Sequence, residues 1–174
     1  MASIRAITPC LWFDDQAEEA ARYYTGIFKN SRIGKISRYG EAGREITRKA
    51  PGSVMMVSFE LEGQPFAALN AGPAFKFTEA VSFMIPCKDQ KEIDYYWDKL
   101  SQGGDPDAQQ CGWLKDKYGL SWQVVPAMVD EMLGDPHSER SQRAMEAMLT
   151  MKKIDIATLE RAYAEPTRET AGHR

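Results

Sequence analysis

The architecture of this protein is anchored by residues 111–126, which read CGWLKDKYGLSWQVVP. Two short apolar runs flank a charged segment that ends in Gly119, a composition typical of a tight connection between strands. In the second run the positions alternate between an apolar face, with Leu120, Trp122 and Val124, and a face with Ser121, Gln123 and Val125. The pattern predicts a hairpin that ends in a strand with helices on one side and a partly polar cavity on the other.

Length and composition limit the classes of protein that fit. A chain of 174 residues with 43% hydrophobic residues can bury a sizeable core as one domain or as two small similar halves. A formal net charge of -3 with mixed signs gives no footprint for nucleic acid or for an anionic membrane. No apolar run approaches the roughly 20 residues that span a bilayer, and the first residues lack a signal-peptide pattern. We therefore expect a cytoplasmic protein without a nucleic-acid or membrane partner.

The cysteines and histidines argue against two common kinds of site. Cys10, Cys87 and Cys111 are odd in number, widely spaced and without a CxxC motif, so neither a disulfide framework nor a zinc site is indicated. We expect all three to be small buried apolar residues. Both histidines, His137 and His173, lie in the polar C-terminal third. The rest of the chain therefore lacks the commonest general base and metal ligand.

The first half reads as a strand, a helix and three more strands. Residues 4–13 are rich in strand formers, and Asp15 followed by Glu18 forms a capping-box pattern for a helix to about residue 29. Three strand-like segments follow, at 32–39, 54–62 and 66–70. The second of them alternates between two faces, as expected for a sheet covered on one side.

The same order then begins again. Residues 80–87 are strand-like, and Asp89 with Glu92 repeats the capping-box pattern before a helix to about residue 102. The two caps are about 74 residues apart, and at that offset Tyr23 aligns with Trp97. We interpret this as an internal duplication. Only two strands are clear after the second helix, and the third is assumed.

These patterns divide the chain into five parts. After residue 126 the composition changes to amphipathic helices rich in methionine, which we expect to pack on the domain or on a partner subunit. The final polar residues are expected to be disordered. The predicted parts are a first module (2–73), a linker (74–79), a second, shorter module (80–126), C-terminal helices (127–165) and a tail (166–174).

Several motifs together resemble one family. They are FDDQAEEA at 13–20, LNAGP at 69–73, EAVSF at 79–83, residues 89–97, residues 111–126 and MKKID at 151–155. As a set they resemble the PhnB-like branch of the vicinal oxygen chelate superfamily, which includes glyoxalase I, bleomycin-resistance proteins and extradiol dioxygenases. This branch often carries a demethylubiquinone methyltransferase label. The resemblance implies an α+β fold of two paired βαβββ modules, with curved mixed sheets around a cleft and a C-terminal helical extension. It also implies a homodimer, in which exchange of modules between chains is left open.

The resemblance also identifies positions for a metal. In metal-dependent relatives four inward side chains, typically His, Glu or Gln, hold one divalent ion. The matching positions here are Thr8, Ala68 or its neighbour, Ser82 and Gln123. Only Gln123 is a ligand of the family type, since alanine has no donor atom and a hydroxyl is a poor ligand for Mn²⁺, Ni²⁺ or Zn²⁺. We therefore predict no metal site and no cofactor, and keep a divalent metal as the alternative.

Other chemistries have weaker support. S-adenosylmethionine is usually held by a glycine-rich loop after a first strand, and residues 12–16, WFDDQ, contain no glycine. Glu60 is the best candidate for a catalytic base if its face lines the cleft, and a solvated strand-end glutamate is the alternative. A thiol of Cys10 in the cleft would have no histidine to activate it.

A small-molecule site remains. Mostly apolar walls with a few hydrogen-bonding groups are typical of such sites. The predicted cleft residues are Thr8, Cys10, Trp12, Ser58, Asn70, Ser82 and Gln123. We expect this cleft to bind a small organic molecule without the usual metal. The alternatives are a metal-dependent lyase, isomerase or dioxygenase acting on vicinal oxygens, and a resistance protein that sequesters a drug.

Overall fold

The computed structural model describes residues 7–164, and the chain divides into two units, Met1–Phe77 and Thr78–Arg174. The division falls within the predicted linker. The start of the predicted first strand, at 4–6, and the predicted tail lie outside the described residues. Within residues 7–164 no helix has the length and apolar character that a membrane crossing requires.

The first unit has the predicted order of a strand, a helix and three strands. Its elements are β1 (Cys10–Phe13), α1 (Ala17–Ile27), β2 (Arg32–Arg38), the short α2 (Arg44–Thr47), β3 (Val54–Leu61) and β4 (Gln64–Asn70). The sheet order is β1-β4-β3-β2, in which β1 and β4 are parallel and the other pairs are antiparallel. Only α2 was missed by the sequence patterns.

Helix α1 covers one side of this sheet. Its buried residues Ala17, Ala20, Ala21, Tyr24 and Ile27 recur at helical spacing. They pack on the alternate residues of β3 that are also buried, and the ring of Tyr24 stacks on that of Phe59 with centroids 6.3 Å apart. The opposite side of the sheet carries only half-buried or exposed residues on β1 and β3.

The cap of α1 differs from the prediction. Asp15 is exposed, and neither it nor the N-cap residue Gln16 caps the helix through its side chain. Instead the backbone N–H of Ala17 donates to Oδ1 of Asn70, at 2.8 Å. Asn70 lies opposite Phe13 in the parallel β1–β4 pair, so the end of β4 reaches the start of the helix. A distant residue therefore replaces the local capping box.

Within residues 78–164 the second unit has three strands rather than four. Its elements are β5 (Ser82–Cys87), α3 (Gln90–Ser101), β6 (Trp113–Lys115) and β7 (Ser121–Pro126), with the sheet order β5-β7-β6. The assumed third strand after the helix does not form within residues 78–164. A turn of 3-10 helix (Pro106–Ala108) occupies that connection. A Cβ added at Gly104 would lie 2.0 Å from the carbonyl oxygen of Lys115, so this connection runs directly against β6.

The predicted second cap and hairpin are both present. The side chain of Asp89 accepts from the N–H of Glu92 at 2.9 Å, and the carboxylate of Glu92 accepts from the N–H of Lys88 at 3.0 Å. The hairpin joins β6 and β7 in antiparallel register. Helix α3 buries Ile93, Trp97 and Leu100.

In the part of the chain that the structure describes, three helices follow β7, namely α4 (Val129–Leu133), α5 (Glu139–Leu149) and α6 (Ile156–Ala164). The segment between α5 and α6 is bonded to the residues before β6. The N–H groups of Cys111 and Gly112 donate to the carbonyl oxygens of Met151 and Lys152, each at 2.8 Å, and Ile154 is fully buried. Both donors have positive φ, of 51° and 82°. A Cβ at Gly112 would lie 2.8 Å from the carbonyl oxygen of Val124, so glycine is required there.

Candidate functional site

The surface of the first sheet opposite α1, which we call the first open face, is built by strand alternation. In β1, Leu11 and Phe13 are buried against the helix side, while Cys10 and Trp12 point the other way. Register across the sheet places Ala67 between Cys10 and Ser58 in one row. A second row contains Trp12, Leu69 and Met56. Three of the predicted site residues, Cys10, Trp12 and Ser58, therefore share this face.

Trp12 forms an aromatic corner with the segment that follows β4. Its Nε1 donates to the carbonyl oxygen of Gly72 at 2.8 Å, which fixes the indole. Phe75 packs edge-on against the indole, with ring centroids 4.8 Å apart and an interplanar angle of 74°. The side chain of Phe75 is 67% exposed, so most of its ring surface is open to contact.

Cys10 is exposed, contrary to the expectation that all three cysteines are buried. It begins a strand, where neighbouring side chains cover only part of the thiol. Partial desolvation raises the pKa of Cys10 above the ordinary thiol value, so the thiol stays protonated near neutral pH. Cys87 is buried as expected, and Cys111 is half-buried. All three are free thiols.

Ser58 and Asn70 have structural partners. The hydroxyl of Ser58 accepts from the N–H of Lys35 at 2.7 Å, next to an irregularity in the β2–β3 register. A Cβ at Gly34 would lie 2.6 Å from this oxygen, so the hydroxyl fits against glycine backbone. Asn70 is buried on the α1 side, where its Nδ2 donates to the carbonyl oxygen of Val54 at 3.1 Å and its Oδ1 caps α1. The Asn70 side chain therefore does not reach the first open face.

Thr8 and Glu60 lie at the margins of the first open face. Thr8 is exposed and precedes β1. Oε1 of Glu60 accepts from Nη2 of Arg32 at 2.7 Å, and both side chains are partly solvated. This surface ion pair already occupies the Glu60 carboxylate, so the contact gives no support to catalysis by Glu60.

The surface of the second sheet opposite α3, which we call the second open face, brings two predicted residues together. Nε2 of Gln123 donates to Oγ of Ser82 at 2.8 Å. The side chains that alternate onto this face are Ser82, Met84, Pro86, Trp113, Lys115, Ser121, Gln123 and Val125. Register places Ser82, Ser121 and Lys115 in one row, and Met84, Gln123 and Trp113 in the next.

Sequence reasoning missed the charged part of this face. Lys115 was assigned to the hairpin turn, but it ends β6 directly opposite Ser121. Its ammonium group forms an ion pair with Glu79, in the turn before β5. This hydrogen bond to Lys115 is the main cause that lowers the pKa of Glu79. Ser121 is fully buried, and its Oγ has no hydrogen-bond partner among the described residues.

The family model described as 3-demethylubiquinone-9 3-methyltransferase matches residues 5–125, most of the chain. The chain belongs to this family. A solved structure from Bacillus cereus, titled a putative 3-demethylubiquinone-9 3-methyltransferase and PhnB protein, is 38% identical with a TM-score of 0.60. It covers 71% of this chain and 100% of its own length. The chain is thus in the PhnB-like branch of the vicinal oxygen chelate superfamily, as predicted.

More distant solved structures share the fold. A protein from Pseudomonas aeruginosa is 18% identical, with a TM-score of 0.54, over 71% of this chain and 98% of its own. The fosfomycin resistance protein FosX from Mesorhizobium loti is 15% identical, with a TM-score of 0.52, over 77% of this chain and 100% of its own. No curated protein matches the chain. The predicted α+β, glyoxalase-like class with a C-terminal helical part is confirmed, with the second module one strand shorter than implied.

The residues of this PhnB-like chain do not fit the superfamily's metal site. Ala68 is fully buried on the α1 side, and its neighbours Ala67 and Leu69 also lack donor atoms. Gln123 and Ser82 bond to each other. Within residues 7–164 no group of three or more His, Cys, Asp or Glu side chains could hold an ion. One amide and one hydroxyl are a poor donor set for a divalent transition metal.

The described residues of this PhnB-like chain also form no site that matches the methyltransferase description. Both sheets are mixed, whereas S-adenosylmethionine sites of the doubly wound type lie at the carboxyl ends of parallel strands. The connection between β1 and α1 is Asp14-Asp15-Gln16, which contains no glycine. Without a glycine there, the backbone cannot approach a cofactor closely at the helix start.

Proposed function

We propose that this PhnB-like protein binds a small organic molecule on the open face of its second sheet, without the divalent metal of its metal-dependent relatives. The observation that carries the proposal is the hydrogen bond between Gln123 and Ser82. The one ligand of the family type donates its N–H to a neighbouring hydroxyl. Its Oε1 and the Ser82 proton have no partner among the described residues, so one acceptor and one donor remain for a guest molecule.

The surroundings of this pair support a guest with an apolar body. Trp113 is half-buried and Met84 is 55% exposed in the same row as Gln123. The first open face carries a separate aromatic surface of its own, formed by Trp12 and Phe75. Apolar walls with a few fixed polar groups are typical of small-molecule sites.

A thermal-shift screen of EDTA-treated protein tests the proposal, because a ligand that binds the folded state raises the melting temperature. We expect stabilising compounds in a metabolite panel, and we expect Gln123→Ala to lose at least half of the shift. The matched control is Gln102→Ala, an exposed glutamine whose side chain makes no hydrogen bond within residues 7–164. Stabilisation only after a metal is added would instead favour the metal-dependent lyase, isomerase or dioxygenase.

We also propose that the chain forms a homodimer. Large apolar side chains are exposed in each unit, with Ile7 and Phe75 in the first and Val81 and Met84 in the second. Exposed apolar side chains of this size favour contact with a partner surface. Light scattering after gel filtration should give twice the chain mass of 19.6 kDa. A single-chain mass at micromolar concentration would reject the dimer.

The remaining predictions concern location and the exchange of modules. Three free thiols and no disulfide among them fit a reducing compartment, which supports the predicted cytoplasmic location. Fractionation of cells that express the protein tests this location. Exchange of modules between the two chains of the dimer stays a prediction, to be tested by crosslinks between the first and second units.

A further inference from the structure

We infer that the second open face binds the anionic group of a small carboxylate or phosphonate through Lys115, and that Glu79 occupies this position when no ligand is bound. The inference rests on the proposed function, because it specifies the chemical class of the guest. It goes beyond that function in naming a cation and its internal competitor, neither of which belongs to the Gln123–Ser82 pair.

Strand geometry places Lys115 on this face. Leu114, its neighbour in β6, is buried on the α3 side opposite Trp122, so Lys115 alternates to the other side. Register then sets Ser121 between Lys115 and Ser82. Neighbouring strands are about 4.8 Å apart, so two hydroxyl groups and an ammonium group cross the sheet in one row. These groups offer hydrogen bonds to an oxyanion and include no carboxylate of the sheet itself.

In the row formed by Ser82, Ser121 and Lys115, the hydroxyl of Ser121 lacks a hydrogen bond within residues 7–164. Its side chain is 0% exposed, and its Oγ has no hydrogen-bond partner among the described residues. A buried polar atom without a partner is unfavourable and rare in folded proteins. Lys115 is its direct neighbour on the same face, so an oxyanion that takes the place of Glu79 at Lys115 would lie beside this hydroxyl. An oxyanion between the two side chains would then accept from both.

The carboxylate of Glu79 occupies the position at Lys115 that we assign to a ligand anion, and a ligand can displace it. It lies outside the sheet, in the turn before β5, and its side chain is 59% exposed, whereas that of Lys115 is 23% exposed. An ion pair with one solvated partner contributes little to stability. The carboxylate of Glu79 can therefore leave Lys115 without disturbing the strands, and a ligand carboxylate of the same chemistry can replace it.

The neighbouring row of side chains on this face indicates the size and chemistry of the rest of the ligand. Trp113 and Met84 flank Gln123, two residues along the strands from Lys115 and Ser82. Two residues of a strand span about 6.6 Å, which is the length of a substituted aromatic ring. An aromatic acid fits this arrangement, with its anionic group at Lys115 and its ring against Trp113.

Isothermal titration with three probes of the same ring tests the inference: benzoate, phenylphosphonate and the neutral benzamide. We expect at least one anion to bind at least about tenfold more tightly than benzamide, and the better anion identifies the headgroup. Lys115→Met should weaken anion binding at least about tenfold, the range of one charge-assisted hydrogen bond. Glu79→Gln should strengthen it several-fold by removing the competitor, and Ser121→Ala should weaken it.

The control is Lys117→Met, which removes an exposed lysine of the same hairpin that stacks on Tyr118. It should leave anion affinity unchanged, and melting curves should confirm that each variant folds. Binding of both anions that is no tighter than that of benzamide, equal losses in the Lys115 and Lys117 variants, or weaker binding in Glu79→Gln would overturn the inference. Binding of the probes, the two anions included, that does not depend on Lys115 would reject the anion site and leave the proposed function standing. Failure of all three probes to bind would also reject the anion site.

Discussion

Asn70, the last residue of β4, caps helix α1 by accepting a hydrogen bond from the backbone N–H of Ala17, 53 positions away, at 2.8 Å. Its Nδ2 simultaneously holds the carbonyl oxygen of Val54, the first residue of β3. The side chain is buried, so both bonds are protected from water. One amide thereby connects the helix to two strands of the first unit.

Asn70→Ala should therefore destabilise the protein by about 2 kcal/mol, because it removes a cap and leaves a buried N–H and a carbonyl unpaired. Urea unfolding monitored by circular dichroism measures the change. The control is Asp15→Ala, at the position where the local sequence pattern places the cap, and its effect should stay within about 0.5 kcal/mol. If the two variants lose equal stability, Asn70 is not the functional cap.

The β6–β7 hairpin depends on Asp116, which is buried in its turn. Its Oδ1 accepts from the N–H groups of Tyr118 and Leu120, at 2.8 and 3.1 Å, and its Oδ2 accepts from Nε1 of Trp122 at 2.9 Å. Asp116→Ala leaves three donors without this acceptor and should cost about 3 kcal/mol. Lys117→Ala, its exposed neighbour, should cost less than about 0.5 kcal/mol. Chemical unfolding followed by tryptophan fluorescence provides the measurement, and a small loss in Asp116→Ala would show that the turn does not depend on this carboxylate.

Gly112 and Gly119 have the same φ of 82°, so substitutions at the two positions can distinguish the stability cost of backbone strain from the cost of steric contact. A Cβ at Gly112 would lie 2.8 Å from the carbonyl oxygen of Val124, whereas a Cβ at Gly119 would meet nothing within 4 Å. Gly119→Ala should cost about 1 kcal/mol for the positive φ alone. Gly112→Ala should cost about 3 kcal/mol, since it must also displace β7 or the C-terminal segment at Ile154. Equal costs in thermal unfolding would mean that the crossing at Gly112 is not close-packed.

Because of Cys87, the free energy of unfolding should fall as pH rises in the alkaline range. Desolvation by burial, with smaller contributions from Glu92 and Asp89, raises the pKa of Cys87 from 9.0 to about 12. Since the folded-state pKa is raised, the contribution to stability is fully present below about pH 9 and is lost as pH rises towards 12. Between pH 8 and 10.5 the wild type should lose about 2 kcal/mol more than Cys87→Ala, at 1.36 kcal/mol per unit above pH 9. Parallel pH profiles of the two proteins in urea unfolding would contradict the raised pKa.

Local sequence patterns were sufficient for the elements that local contacts stabilise. The alternation of Leu120, Trp122 and Val124 predicted β7, and Asp89 with Glu92 predicted the start of α3. The capping box at Asp15 failed because Asn70 arrives from a distant strand and takes the same role. Such a tertiary replacement leaves no signal at the helix start itself.

The candidate site was predicted only in part for the same reason. Alternation alone placed Ser121 and Gln123 on one face, and the structure adds the bond from Gln123 to Ser82. The position of Lys115 depends on the register of the hairpin, and its partner Glu79 belongs to the turn before another strand. Asn70 has a polar side chain that suggested a binding role, but its burial and its two partners show a structural one. Polarity predicts that a side chain needs partners, but not which partners fold next to it.

Elemental analysis of the purified protein, before and after dialysis against EDTA, tests the proposed metal-free binding most directly when ligand titrations accompany it. Metal-free binding predicts well under one divalent ion per chain and the same ligand affinity in both samples. Gln123→Ala should then weaken ligand binding without changing the metal content. One tightly held ion per chain, lost together with ligand binding in EDTA and absent from Gln123→Ala, would contradict the proposal.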